Sequence, residues 1–246
     1  MSKLIAVMLF ISVLAGCGTT SENARSSASA KVHTELAGLY YERVQYGIAL
    51  DEIAQALQAD PDYAPAYGVR GLIHMALRED NDAEEDFRKG LRLDKLDSNI
   101  QNNYGWFLCQ HSREKESIPH FLAALKNPLY GTPGVAYLNA GMCSRKAGDN
   151  KDAEEFFQKA LLVQPGMPQA LMGLAELSFS DGEYASAKQY FAKLSDRNDN
   201  LTAEQLWLGI RIQRKAGDRN SESSFSVQLR KRFPDAKETQ MLMRGE

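Results

Sequence analysis

The sequence predicts an all-α fold, a right-handed superhelical solenoid of about six helix pairs. An alanine recurs about every thirty-four residues, at Ala49, Ala83, Ala153 and Ala187. Each alanine follows a small residue and precedes a bulky one at a fixed distance: the small residues are Ala37, Gly71, Gly141 and Ala175, and the bulky ones are Ile53, Phe87, Phe157 and Phe191. Turn signals fall between the helices at 147–149, 180–182 and 216–218. Because small residues let two helices approach closely, the pattern predicts repeated helix pairs.

A period near thirty-four residues is typical of the tetratricopeptide repeat, in which each repeat is one helix pair. The first three repeats begin at residues 30, 64 and 98, and the fourth, which fits the pattern best, spans 134–167. The third is irregular, because Ser117 replaces the packing alanine and extra residues occur over 127–133. The fifth and sixth begin at residues 168 and 202 and lose parts of the pattern, as terminal repeats do where one face meets water. A plain antiparallel bundle is the alternative, and it does not explain the recurrence.

The first residues of the chain predict an export signal. A basic start precedes an apolar run over residues 4–15, which is too short to cross a bilayer as a mature helix. The Leu-Ala-Gly-Cys sequence that ends at Cys17 resembles a bacterial lipoprotein box, in which the chain is cut before a cysteine that carries lipid. We therefore expect a cleaved signal peptide over residues 1–16 and lipidation of Cys17. An ordinary signal peptide with an incidental cysteine is the alternative.

The residues after this cysteine predict a flexible tether. Over 17–30 the chain is mostly Ser, Thr, Ala and Asn, which offer little to bury, and we expect the repeats to occupy 31–246. In lipoproteins with such a box, a residue other than aspartate after the cysteine, here Gly18, implies sorting to the outer membrane. The expected location is the outer membrane, lipid-anchored and facing the periplasm.

The composition and the absence of known motifs argue against nucleic-acid binding, catalysis and metal binding by this chain. Charged residues make up 25% of the sequence and the formal net charge is -3, so the basic excess expected for nucleic-acid binding is missing. The sequence has no nucleophile elbow, phosphate loop, dinucleotide fingerprint or His-Glu-x-x-His motif. A zinc site of Cys109, His111, His120 and Cys143 can be imagined, but it lacks a recognised ligand spacing. We expect no enzyme activity, no metal, no cofactor and no small-molecule substrate.

Cys109 and Cys143 are candidates for a disulfide. They occupy the twelfth and tenth positions of neighbouring repeats, on first helices. An offset of two positions turns a helical side chain by about 200 degrees, so that one sulfur points forward and the other back. The compartment outside the inner membrane is oxidising, which permits the bond. Two small buried thiols are the alternative.

The fifth, ninth and twelfth residues of each repeat predict the inner groove of the solenoid. Those selected as a partner-binding groove are Tyr41, Leu72, Met75, Asn102, Trp106, Leu138, Met142, Arg145, Met172 and Phe179, with Glu176 among them in sequence. Methionine, leucine and aromatic side chains dominate, and such a groove suits an apolar or amphipathic peptide. The alternative is that some of these residues, Leu72 and Leu138 above all, pack between repeats.

Four segments together resemble a known family: the type IV pilus assembly lipoproteins called PilF or PilW. They are the lipoprotein box at 14–17, residues 40–57, the Asn-Asn-Tyr-Gly-Trp-Phe-Leu-Cys segment at 102–109, and Asn-Ala-Gly-Met-Cys at 139–143. The resemblance implies a pilotin: a protein that binds the secretin subunit of the pilus, promotes its localisation and multimerisation in the outer membrane, and supports twitching motility. A different outer-membrane scaffold, which organises cell-wall hydrolases or barrel-assembly factors, would share the anchor and the repeats.

Overall fold

The computed structural model describes the backbone of residues 16–196 and 200–245, and side chains from residue 24 onward within those ranges. Within these residues the chain forms thirteen α-helices and no strand, which confirms the all-α prediction. The helices are α1 (Gly16–Glu42), α2 (Tyr46–Ala59), α3 (Ala64–Leu77), α4 (Asp80–Leu93), α5 (Ser98–Gln110), α6 (Glu114–Ala124), α7 (Pro133–Lys146), α8 (Asn150–Val163), α9 (Pro168–Ser180), α10 (Tyr184–Ser195), α11 (Ala203–Ala216), α12 (Arg219–Arg232) and α13 (Lys237–Arg244). Of the helices described, none combines the length and the apolar character that crossing a bilayer requires.

The first twelve helices follow one another as six successive pairs, as the sequence period predicts. Proline stands at the first or second position of α3, α7 and α9: Pro65, Pro133 and Pro168. Proline fits there because the first N–H groups of a helix have no acceptor within it. Glycines with positive φ form the turns after α7, α9 and α11: Gly148, Gly182 and Gly217. The thirteenth helix is an addition that the repeat pattern does not predict.

Helix α1 begins earlier than the repeat pattern requires. Its backbone is helical from Gly16, which differs from the flexible tether predicted over 17–30. That segment contains no proline, and its Ser, Ala, Asn and Glu residues can extend a helix whose later turns are held by packing. Residues 1–15 of the predicted signal peptide, and the side chain of the predicted lipidation site Cys17, lie outside what the structure describes.

The chain divides into two compact units, where the sequence predicts one repeat domain. Unit 1 comprises residues 1–110 and 126–130, and unit 2 comprises 111–125 and 131–246. Helices α1 to α5 belong to unit 1, and α6 to α13 belong to unit 2. Each unit has its own core, and the two are described separately.

In unit 1 the spacing of small and bulky residues becomes a close contact between α3 and α4. Phe87 is fully buried, and a Cβ on Gly71 would lie 2.8 Å from its ring. A real Cβ does not approach a neighbour so closely, so the absence of a side chain at Gly71 is what admits the ring. The recurring Ala49 and Ala83 have no exposed surface. The alanine period therefore marks helix crossings, as predicted.

Unit 2 repeats this arrangement. A Cβ on Gly141 of α7 would lie 2.7 Å from the ring of Phe157 on α8, which is 1% exposed. The recurring Ala153 and Ala187 are fully buried. A larger cluster of apolar side chains follows on α9 to α13, centred on Phe191, Leu206 and Ile210 and others that are almost fully buried. Unit 2 is thus held by apolar burial between successive helices.

Candidate functional site

The residues predicted to line one groove are divided between the two units. Unit 1 holds Tyr41, Leu72, Met75, Asn102 and Trp106, and unit 2 holds Leu138, Met142, Arg145, Met172 and Phe179. The predicted residues of each unit are therefore described by themselves.

Most of the predicted groove residues of unit 1 contribute to packing. Leu72 and Met75 contact the core cluster around Phe87. The Tyr41 ring lies 5.8 Å from the ring of Tyr46, centroid to centroid. The side chains at these three positions are half-buried. The packing of Leu72 against the core agrees with the alternative that the sequence leaves open for it.

The last two predicted residues of unit 1 lie on α5. Asn102 is buried, and its Nδ2 donates a hydrogen bond of 3.4 Å to Asn103 Oδ1. Trp106 is half-buried, whereas Tyr104 and Phe107 beside it on the helix are buried. Trp106 therefore keeps an accessible part of its ring, which a partner could contact.

A cavity of about 450 Å³ opens in unit 1 between α1, α3 and α5, and sequence reasoning missed it. Its lining residues are Lys31, Thr34, Glu35, Gly38, Tyr63, Pro65, Gly68, Val69, Asp97, Asn99, Ile100 and Asn103. On α1, α3 and α5, these residues lie about one helical turn closer to the N-terminus of the helix than the groove residues predicted for unit 1. We name this space the unit 1 cavity.

Carboxylates set the charge of the unit 1 cavity. Asp97 accepts a hydrogen bond of 2.9 Å from the Ile100 N–H at the start of α5, while burial raises the pKa of its carboxyl above the ordinary value. Burial also raises the pKa of the Tyr63 hydroxyl, with the charges of Glu35 and Asp97 adding to the effect. Lys31 supplies a cation 3.9 Å from Glu35, but both side chains are about two-thirds exposed. The cavity therefore has an acidic wall.

Unit 2 has a groove formed by α7, α9 and the start of α11. Its volume is about 290 Å³, and its lining includes three predicted residues, Met142, Arg145 and Met172. Arg145 forms an ion pair with Glu176 across the groove. Leu138 is absent from the groove lining and belongs to the buried core cluster that also contains Phe157. We name this space the unit 2 groove.

The unit 2 groove adjoins a smaller cavity of about 160 Å³ that shares Met172, Glu176 and Glu204 with it. Helix α13 lines this cavity with Lys237, Glu238 and Met241. Phe179, the last predicted residue, lies nearby under the guanidinium of Arg211, 4.4 Å from its ring centroid. The sequence pattern does not reveal α13, so this end of the surface could not be predicted.

A buried ion pair stiffens the second repeat of unit 1. Asp86 is 4% exposed, and Arg70 donates two hydrogen bonds to its carboxylate, of 2.9 and 2.6 Å. His74 Nδ1 lies 2.6 Å from Glu79 Oε2, at the turn between α3 and α4. These contacts join the two helices of one repeat, which indicates a structural role.

Both cysteines predicted to pair are buried. Cys109 on α5 is 2% exposed and Cys143 on α7 is fully buried. Each is a disulfide cysteine and does not titrate as a thiol. The predicted pairing of Cys109 with Cys143 stays a prediction.

Comparison with known proteins first defines the class: the chain is a tetratricopeptide-repeat protein. Models described as tetratricopeptide repeat match residues 64–95, in unit 1, and residues 144–207, which lie in unit 2. The crystal structure of MamA shares the fold alone: it is 21% identical and superposes with a TM-score of 0.56, covering 65% of this chain and 92% of MamA.

More specific relatives define the family. The crystal structure of PilW, a widely conserved type IV pilus biogenesis factor, is 35% identical and superposes with a TM-score of 0.80, covering 87% of this chain and 98% of PilW. The structure of Pseudomonas aeruginosa PilF gives a TM-score of 0.84 at 27% identity, over 90% of this chain and 99% of that one. In sequence, the type IV pilus assembly protein PilF of Pseudomonas aeruginosa is 29% identical over 201 residues, 82% of this chain and 79% of the relative. The chain belongs to the PilF/PilW family of type IV pilus proteins, which confirms the resemblance.

Proposed function

We propose that this chain acts in type IV pilus biogenesis as an outer-membrane lipoprotein that binds the pilus secretin and promotes its localisation and multimerisation. The support is membership of the family together with accessible apolar surface on both units. Trp106 in unit 1 and Met142 and Met172 in unit 2 are half-buried side chains of the kind that adapt to an apolar or amphipathic segment. The role is binding, and it requires no catalytic group on this chain.

The unit 2 groove carries the proposal furthest. Its two methionines provide a deformable apolar floor, while the Arg145–Glu176 ion pair gives the same surface polar partners. A segment with one apolar face and alternating charges would match both features. In this proposal, lipid attached to Cys17 anchors the protein at the membrane, because several acyl chains anchor a protein stably.

Co-purification tests the proposal. The full chain with an affinity tag is recovered from detergent-solubilised membranes, and bound proteins are identified by mass spectrometry. We expect the pilus secretin as the main partner, in amounts that fall for a Met142→Glu, Met172→Glu variant. A matched control is Leu162→Glu, an apolar residue of unit 2 that is 82% exposed and outside the groove lining. Recovery of a murein hydrolase or of barrel-assembly factors without secretin would favour the scaffold reading instead.

A further inference from the structure

The unit 1 cavity plays no part in the proposed binding of the secretin. Its volume of about 450 Å³ lies within the range of about 300 to 1,000 Å³ typical of ligand sites. Its wall combines polar and charged side chains with apolar surface that includes Val69 and Ile100. A site built in this way selects its ligand by polar groups as well as by apolar contact.

Two asparagines give the cavity a means to bind peptide backbone. Asn99 and Asn103 are four residues apart on α5, so they lie on one helix face with their Cβ atoms about 5 to 6 Å apart. Alternate residues of an extended chain repeat at about 6.7 Å, which is close to that separation. A side-chain amide offers a donor and an acceptor together. The pair can therefore contact the same edge of an extended peptide at two successive positions.

The acidic wall defines which side chain such a peptide carries. Glu35 and Asp97 both line the cavity together with Tyr63, and their charges add to the effect of burial in raising the pKa of the Tyr63 hydroxyl. A nearby cation stabilises the charged form of a carboxylate that is partly shielded from water by burial. The ion pair of Lys31 with Glu35 is exposed, hence weak, and a ligand cation can replace it.

Gly38 keeps the cavity open. A Cβ there would meet no atom within 4 Å, so close packing does not require glycine in the interior of α1. Glycine lowers the stability of a helix interior. At position 38, the missing side chain leaves free space at the wall of the cavity. Long side chains on a helix lie over the preceding turn. A larger residue at 38 would therefore lie over Thr34 and Glu35, inside the cavity.

We infer that the unit 1 cavity binds an extended peptide segment with a lysine or arginine side chain directed at Glu35 and Asp97. The inference goes beyond the proposed function, since it concerns a second site and does not depend on which protein supplies the segment. Asn99 and Asn103 bind the backbone of the segment, and the open space at Gly38 admits it.

The test begins with a library of random heptapeptides displayed on phage and selected on the full chain. We expect the selected peptides to share a lysine or arginine at one position. One such peptide, labelled with fluorescein, is then titrated by anisotropy against the full chain. Replacement of its basic residue by glutamine should weaken binding at least tenfold, and replacement by glutamate should weaken it further.

Two variants connect this binding to the cavity. Gly38→Leu should weaken binding at least tenfold. Its matched control is Gly47→Leu on α2, because a Cβ at Gly47 also meets nothing within 4 Å and Gly47 does not line the cavity; we expect binding within twofold of the original chain. Glu35→Gln, an exposed change that leaves the α5 cap at Asp97 intact, should weaken binding less than Gly38→Leu and mainly at low salt. Circular dichroism checks that each variant is folded.

Three results would overturn the inference: selection of acidic or uncharged peptides, no selection at all, or equal binding by the Gly38→Leu and Gly47→Leu chains. Failure to recover secretin from membranes would count against the proposed function and leave this result unchanged, because the peptide selection uses no secretin.

Discussion

Gly173 lies against the ring of Phe157, and a Cβ at Gly173 would approach that ring to 2.5 Å. Gly141 contacts the opposite side of the same ring, where its own Cβ would lie 2.7 Å from Cδ1 and Cε1, while that of Gly173 would meet Cε2 and Cζ. Phe157 is thus held between α7 and α9. It cannot retreat from one helix without moving into the other.

We expect Gly173→Ala to destabilise unit 2 by about 1 to 3 kcal/mol, the usual cost of overpacking a core. The higher helix propensity of alanine offsets this by up to about 1 kcal/mol. The control is Gly47→Ala, which meets no neighbour and should leave stability unchanged or slightly raised. Urea denaturation followed by circular dichroism measures both. A Gly173→Ala chain as stable as the control would show that the ring has room to move.

The contact between Gly141 and Phe157 could be predicted from the sequence, because it recurs at a fixed spacing in several repeats and local spacing decides which helix faces meet. Gly173 could not be singled out in this way. It contacts Phe157 from the following repeat, and the sixth repeat supplies the corresponding partner, Gly209 against Phe191. Such contacts between repeats depend on how successive pairs stack, which the period alone does not determine.

The candidate sites likewise contain some residues that the repeat spacing predicts and others that only the packing of several helices brings together. Met142, Arg145 and Met172 were placed together by the repeat register, and they line one groove in unit 2. The unit 1 cavity was missed because Gly38, Asn99 and Asn103 form no motif and become neighbours only when three helices pack. Helix α13 was missed for another reason: it lies beyond the last repeat, where no period predicts it.

The disulfide is the second prediction. If Cys109 is bonded to Cys143, the bond closes a loop of about one repeat and stabilises the fold by roughly 3 to 4 kcal/mol in the chain-entropy model. Mass spectrometry of the non-reduced, protease-digested protein should find one peptide pair that contains both residues. A Cys109→Ser, Cys143→Ser chain should unfold at lower urea concentration than the oxidised protein. Detection of two free thiols in the exported protein would contradict the pairing.

The third prediction concerns the anchor. Cys17→Ser should leave the repeats folded while it removes the protein from the outer membrane, because the expected lipidation site lies ahead of the residues that form the core. Membrane fractionation measures the location, and circular dichroism measures the folding. Gly18→Ser, which keeps the cysteine, is the control and should leave the protein membrane-bound. A Cys17→Ser chain found wholly in the outer membrane would rule out lipid anchoring through this residue.

Stability should depend on pH through His120, which lies on α6. Burial, together with the nearby charge of Arg113, lowers the pKa of its imidazole below the ordinary value of 6.5. The unfolded chain therefore takes up a proton near pH 6.5 that the folded chain resists, so stability falls as the pH drops below that value. Urea midpoints at pH 7.5 and 5.5 should differ less for His120→Gln than for the original chain. An equal pH dependence in both would mean that the folded protein protonates His120 as readily as the unfolded chain does.

The last prediction is that Trp106 is an anchor for the secretin. Truncation of a large aromatic residue at the centre of an interface to alanine typically lowers the binding free energy by about 2 kcal/mol or more. That loss corresponds to a roughly thirty-fold weaker affinity. Trp106→Phe, which keeps an aromatic ring, should lose less. The binding of a purified secretin domain is measured for each variant by calorimetry.

Trp106 also lies next to Gly105 and Phe107, both buried in α5, so truncation could lower stability instead of removing a contact. Thermal unfolding of the same variants separates the two effects. A Trp106→Ala chain that stays folded at the binding temperature and binds secretin weakly places the contact at this residue. If it stays folded and its affinity is unchanged, the secretin does not use this part of unit 1. The unit 2 groove, with Met142 and Met172, would then account for the binding alone.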